Sequence, residues 1–141
     1  MFIFEPAPHP WPERVLCLLR IVAGLILITS GTTKLFGFPP SPQPMPDIPV
    51  LSQIWIGGWM EVIGGALIVI GLFTRPTAFL LSGEMAVAYW QFHAPGSFWP
   101  TINQGIPAIL YCFFFLYLAF AGAGAWSIDA LLARRRGYRS P

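Results

Sequence analysis

Charge is what this chain has least of. Asp, Glu, Lys and Arg make up 10% of its residues, against about 25% in a soluble domain. That scarcity excludes an ordinary soluble globular protein. Disorder is excluded by the 55% of residues that are hydrophobic, because disorder needs few apolar residues and many charges. Cysteine is scarcer still. Cys17 and Cys112 stand far apart inside apolar runs, and no CxxC or Cys/His spacing occurs, so neither a zinc site nor a dithiol motif is encoded. Both read as buried, inert thiols. No haem or flavin motif is present, and no basic patch interleaved with aromatics, so nucleic acid is not an expected partner. The 141 residues allow one domain, or several membrane spans with short loops.

Apolar segments are plentiful. Four of them cover residues 15–36, 51–73, 77–93 and 105–126. A spanning helix needs about 20 residues. The first, second and fourth reach that length, and the third needs a residue or two more. Polar residues do not recur every three to four positions along these segments, as the outer faces of a soluble bundle would require. The expected fold is therefore all-α, an integral membrane four-helix bundle. Residues 1–14 form a Pro-rich N-terminal arm, residues 15–132 the membrane domain and residues 133–141 a basic tail.

Proline and arginine organise the ends. The segment 37–50 carries six prolines and one charge and reads as an extended loop over the bundle mouth. Thr74-Arg75-Pro76 reads as a tight turn between the second and third helices, and 94–104 as an uncharged aromatic loop. Arg14, Arg75 and the tail arginines Arg134, Arg135, Arg136 and Arg139 collect on the side of the termini, while the opposite loops carry no Lys or Arg. The excess of basic residues on cytoplasmic loops places both termini in the cytoplasm. Six tryptophans (11, 55, 59, 90, 99 and 126) mostly fall near span ends, as an aromatic belt would.

Four charges lie inside the spans: Arg20, Lys34, Glu61 and Glu84. A charge at the bilayer centre costs roughly 2.5–3.5 kcal/mol on insertion scales, so such groups face the bundle interior and pair. Arg20, Gly24, Gly31 and Lys34 share a stripe of the first helix, and Gly57, Glu61, Gly64 and Gly71 a face of the second. Thr77, Glu84 and Gln91 recur every seven residues on the third. His93 falls about 180° from Glu84 at helical spacing, on another face or in the loop. At 1.5 Å per residue, Arg20 and Glu84 lie about 8 and 10 Å from the cytoplasmic end, where Asp129 is also in reach. These three form the expected structural ion-pair cluster. Glu61 lies about 15 Å from the external end, and Lys34 and His93 about 3–6 Å from it. Lys34, Glu61, Gln91 and His93 are the candidates for handling a ligand or a proton, with water or Gln91 expected between Lys34 and Glu61. Each buried charge has a second reading as a clamp that only holds helices together.

The residues also carry a family likeness. Arg20, Gly24, Gly31 and Lys34-Leu35-Phe36-Gly37 resemble the first helix of DoxX-like membrane proteins. So do Glu61 followed by Gly64-Gly65-Ala66-Leu67, the run Gly71-Leu72-Phe73-Thr74-Arg75, and the closing Gly122-Ala123-Gly124-Ala125-Trp126-Ser127-Ile128-Asp129. The resemblance covers roughly residues 14–132. It implies a four-helix membrane bundle. Some members of that family are subunits of thiosulfate:quinone oxidoreductase, others are linked to oxidative-stress complexes, and distant ones act as chaperones or cargo receptors.

Three functions follow as expectations. One is a redox-associated inner-membrane subunit with a polar intramembrane cleft that binds a quinone or similar small molecule. Any further electron carrier would then be a redox partner protein. The second is a non-catalytic membrane scaffold or assembly factor, acting as a homo-oligomer or with a partner. The third is a small proton-coupled transporter, suggested by the midplane Glu61. If there is an enzymatic role, it is that of a subunit of a quinone-linked oxidoreductase.

Overall fold

The computed structural model describes residues 10–42 and 46–137. Most of the Pro-rich arm and the last tail residues, Arg139 among them, lie outside the described residues. Among those described, every regular element is helical: α1 (Trp11–Phe36), α2 (Gln53–Ile70), α3 (Thr74–Ala88) continued by a π-helical turn (Tyr89–His93), α4 (Ile106–Ala121) and a short α5 (Ile128–Arg135). The first two are long and apolar enough to cross a membrane, and α4 is apolar but shorter.

Glycine sets the closest packing. A Cβ on Gly24 would lie 2.8 Å from the Gly65 carbonyl oxygen, and one on Gly31 would lie 2.6 Å from that of Gly58. The backbones of α1 and α2 thus meet directly at two levels, the small-residue contact that holds helices together in lipid. α3 packs mainly on α4, where the Ser82 hydroxyl donates to the Cys112 carbonyl at 2.8 Å. One buried cluster draws on all four long helices: Leu27, Ile68, Ala78, Leu81, Met85, Phe115 and Leu118. The outer faces expose Leu18, Leu19, Val22, Leu25, Ile63, Leu80, Leu110 and Phe113. So broad an apolar surface belongs in lipid, not water.

α1 begins at Trp11 and not at residue 15, because Pro12 is tolerated in a first turn, so the helix takes in the end of the expected Pro-rich arm. Two further boundaries also differ from the sequence reading. α3 begins at Thr74, so Thr74-Arg75-Pro76 is its first turn and not a connection. Its third position tolerates Pro76, whose missing N–H would have no intrahelical partner there. The reversal happens earlier, at Gly71 (φ 68°) and Phe73 (φ 49°). The Asp129 carboxylate then accepts the Phe73 and Thr74 N–H groups, both at 2.9 Å. At the other boundary, α4 stops at Ala121 because Gly122 (φ 86°) and Gly124 (φ 74°) take backbone conformations closed to most residues. Ser127 then caps α5, accepting the Ala130 N–H at 3.1 Å. Cys17 and Cys112 are both free thiols, the first buried.

Candidate functional site

A cavity of about 230 Å³ opens between the N-terminal half of α2 and the C-terminal part of α3. Lys34, Gly57, Glu61, Glu84, Phe92 and His93 are among the residues around it. Lys34 Nζ donates to Glu61 Oε1 at 2.6 Å, with Glu61 almost wholly buried. The expected bridging water or Gln91 is therefore replaced by a direct ion pair. Side chains on a helix tilt toward its N-terminus. Because α1 and α2 run antiparallel, Lys34 leans inward and Glu61 leans outward, and the glycine contact at Gly31–Gly58 brings the two helices close enough to join them.

Glu84 belongs to this cavity and not to Arg20, which corrects the cluster read from the sequence. Starting α3 three residues earlier moves Glu84 about 4.5 Å deeper, to the level of Glu61. Gly57 makes room for it: a Cβ there would lie 3.1 Å from Glu84 Oε1. Oε2 of Glu61 and Oε2 of Glu84 are both buried and have no hydrogen-bond partner. The cavity thus brings two carboxyl groups and one ammonium together, with two acceptor oxygens left over.

His93 joins the same cavity, although its spacing points to another face or to the loop. The π-helical turn from Tyr89 to His93 changes the rotation per residue and brings the ring round toward the side of Glu84. There His93 Nδ1 lies 3.0 Å from the Asn103 carbonyl oxygen, and the ring stacks on Tyr89 at 6.5 Å between centroids. Gln91 is exposed and does not border the cavity. The sequence reading also missed Phe92 as part of the wall. The π turn that places it leaves no signature in residue spacing.

Arg20 is fully buried and has a different role from the one expected. Its Nη1 donates to the Ile68 carbonyl and, at 2.7 Å, to that of Val69, while Nη2 donates to the Trp126 carbonyl at 2.6 Å. It closes the C-terminal end of α2, where carbonyls lack intrahelical partners and a cation is favoured. Asp129 stands nearby but spends both oxygens on the start of α3. Among the described residues no group of His, Cys, Asp and Glu is arranged to hold a metal ion.

Known proteins are similar to this chain in sequence. It is 41% identical over 117 residues to an uncharacterized protein of Haemophilus influenzae, covering 81% of this chain and 87% of that one. It is 33% identical over 131 residues to the inner membrane protein YphA of Escherichia coli K12, covering 82% and 88%. Identity to the inner membrane protein YqjF of the same strain is 28% over 123 residues, covering 82% and 90%. No solved structure matches the chain. The DoxX family model matches residues 15–94, the stretch that contains Arg20, Lys34, Glu61, Glu84 and His93. The chain belongs to the DoxX family of membrane proteins.

Proposed function

We propose that this protein is a redox-associated subunit of the bacterial inner membrane whose Lys34–Glu61–Glu84 cavity binds a quinone head group or a similar small molecule. The supporting observation is the pair of buried, unpartnered oxygens, Glu61 Oε2 and Glu84 Oε2, at one cavity. A buried polar atom without a partner is costly, and the two hydroxyls of the reduced (quinol) form, each donating one O–H, would give each carboxyl oxygen a partner. Lys34, joined to Glu61 through Oε1, has further N–H donors for a ligand carbonyl. A quinone supplies two-electron redox chemistry when bound. The residues of this chain contribute binding, orientation and a place for protons. In the lipid bilayer the four long helices cross as a bundle, with Arg14, Arg75 and Arg134–Arg136 on the cytoplasmic side.

A second reading rests on the Lys34–Glu61 contact itself. At 2.6 Å it ties α1 to α2, and a scaffold or assembly factor would need nothing more from it. Extraction and analysis of lipids from the purified protein separates the two. Stoichiometric quinone supports the binding role. A co-purifying protein without quinone supports the scaffold.

A further inference from the structure

A second polar cavity lies at the opposite end of the helices, where the start of α1 meets α5, and nothing in the quinone reading uses it. Its volume is about 590 Å³, and Glu13, Thr74, Arg75, Gly122, Asp129 and Arg134 stand around it. Ligand cavities run to about 300–1,000 Å³, so the space suits a small polar group. Two features indicate what that group carries. First, Thr74 is fully buried and its hydroxyl oxygen has no partner, an O–H that a bound oxyanion would accept. Second, the charges are uncommitted. Lys34–Glu61 is the one ion pair among the described residues, so Arg75, Arg134 and Glu13 face the cavity without charged partners. Asp129 is already spent on the Phe73 and Thr74 N–H groups.

We propose that this cavity seats the headgroup of an aminophospholipid, with the phosphate between Arg75 and Arg134 and the primary ammonium on Glu13. The four charged side chains sum to zero, so a zwitterion matches them and a net anion leaves Glu13 opposed. Guanidinium forks suit phosphate oxygens. A quaternary ammonium calls for an aromatic cage, and among the described residues Phe73 is the one aromatic on this wall, which favours a primary amine over choline. The position fits a lipid as well. Trp11 and Trp126 are exposed at this end of the molecule, as residues at a membrane–water interface are, so acyl chains would run down the apolar outer faces. Gly122 keeps the Arg75 guanidinium close to the backbone, since a Cβ there would lie 3.4 Å from Arg75 Nε.

The test is lipid retention by the full-length protein, purified in detergent and stripped of lipid. Native mass spectrometry and thermal shift follow addition of dioleoylphosphatidylethanolamine, the matching phosphatidylglycerol, the matching phosphatidylcholine, or inorganic phosphate alone. One phosphatidylethanolamine per chain should stay bound and raise the melting temperature, with the other two lipids held about tenfold or more weakly. Arg75→Gln with Arg134→Gln should lose that lipid. Glu13→Gln should keep the melting temperature of the stripped protein and abolish the preference for ethanolamine over glycerol. Equal retention of all three lipids by the unaltered protein would overturn the proposal. So would an undiminished ethanolamine preference in Glu13→Gln. The same thermal shift with inorganic phosphate alone would replace the lipid by a soluble phosphate.

Discussion

Removing the Arg20 head group while keeping its stem isolates what that buried cation does. In Arg20→Met the side chain still fills its place among the helices, but its donors are gone. Ile68 retains the Gly71 N–H at 3.2 Å, whereas Val69 and Trp126 lose the bonds at 2.7 and 2.6 Å that Arg20 gives their carbonyls. Each buried acceptor left without a partner costs about 1–3 kcal/mol, so two cost about 2–6 kcal/mol. Relief from burying a guanidinium offsets part of this, and the lost cation at the α2 C-terminus adds back up to ~2 kcal/mol. The expected net loss is about 2–4 kcal/mol. At about 2–4 °C per kcal/mol for a chain of this size, the melting temperature in detergent falls by roughly 5–15 °C. Arg20→Lys should fall between the two, because an ammonium reaches fewer of the carbonyls than a planar fork. Thermal unfolding of the three proteins in one detergent is the assay. If Arg20→Met melts within about 2 °C of the unaltered protein, a shift worth less than about 1 kcal/mol, the carbonyl account of Arg20 is wrong.

The glycine contacts give opposite expectations at two positions. Gly31→Leu must force α1 from α2, since even a Cβ would sit 2.6 Å from the Gly58 oxygen, and should lower stability by about 3 kcal/mol or more on thermal unfolding. Gly83→Ala meets nothing within 4 Å and lies within α3, so stability should hold or rise by up to about 1 kcal/mol. Ser127→Ala removes the α5 cap and the 2.7 Å bond to the Gly124 carbonyl; proteolysis near residues 128–135 should quicken, with about 1 kcal/mol lost. A reporter fused after Pro141 should be cytoplasmic and one inserted near Pro44 external; an external C-terminus would reverse the orientation drawn from the basic residues.

The helices are legible because the apolar segments are long and nearly free of charge, but the α1–α2 contact is not: the stripe of Gly57 and Gly64 faces Glu84 and Leu81 of α3, while Gly58 and Gly65 meet Gly31 and Gly24. Lys34 and Glu61 are legible as neighbours from charge and depth, but their direct contact at 2.6 Å is not, because it depends on the close Gly31–Gly58 approach. Glu84 was misplaced by one boundary. Reading Pro76 as part of a turn started α3 three residues late and raised Glu84 to the depth of Arg20. Arg20 was then assigned carboxylate partners, because a sequence displays side chains and not the orphan carbonyls at a helix end. His93 depended on a π turn, whose extra residue per turn is set by tertiary packing. The fifth helix follows from Ser127 and Asp129, a cap and a first-turn acid that are visible in the sequence yet were read as part of the closing family motif.

A cavity at Glu61 and Glu84 that binds a ligand and an ion pair that only clamps α1 to α2 give opposite results for one variant. Binding of a short-chain ubiquinone analogue, measured by equilibrium dialysis and read beside thermal unfolding, separates the two. Glu61→Gln preserves shape while removing the charge. With ligand binding, the analogue binds the unaltered protein and binds Glu61→Gln about tenfold or more weakly at an unchanged melting temperature, with no recovery on adding Lys34→Met. Equal binding by Glu61→Gln, or a loss of stability that Lys34→Met restores, would contradict ligand binding and leave the ion pair as a clamp between α1 and α2.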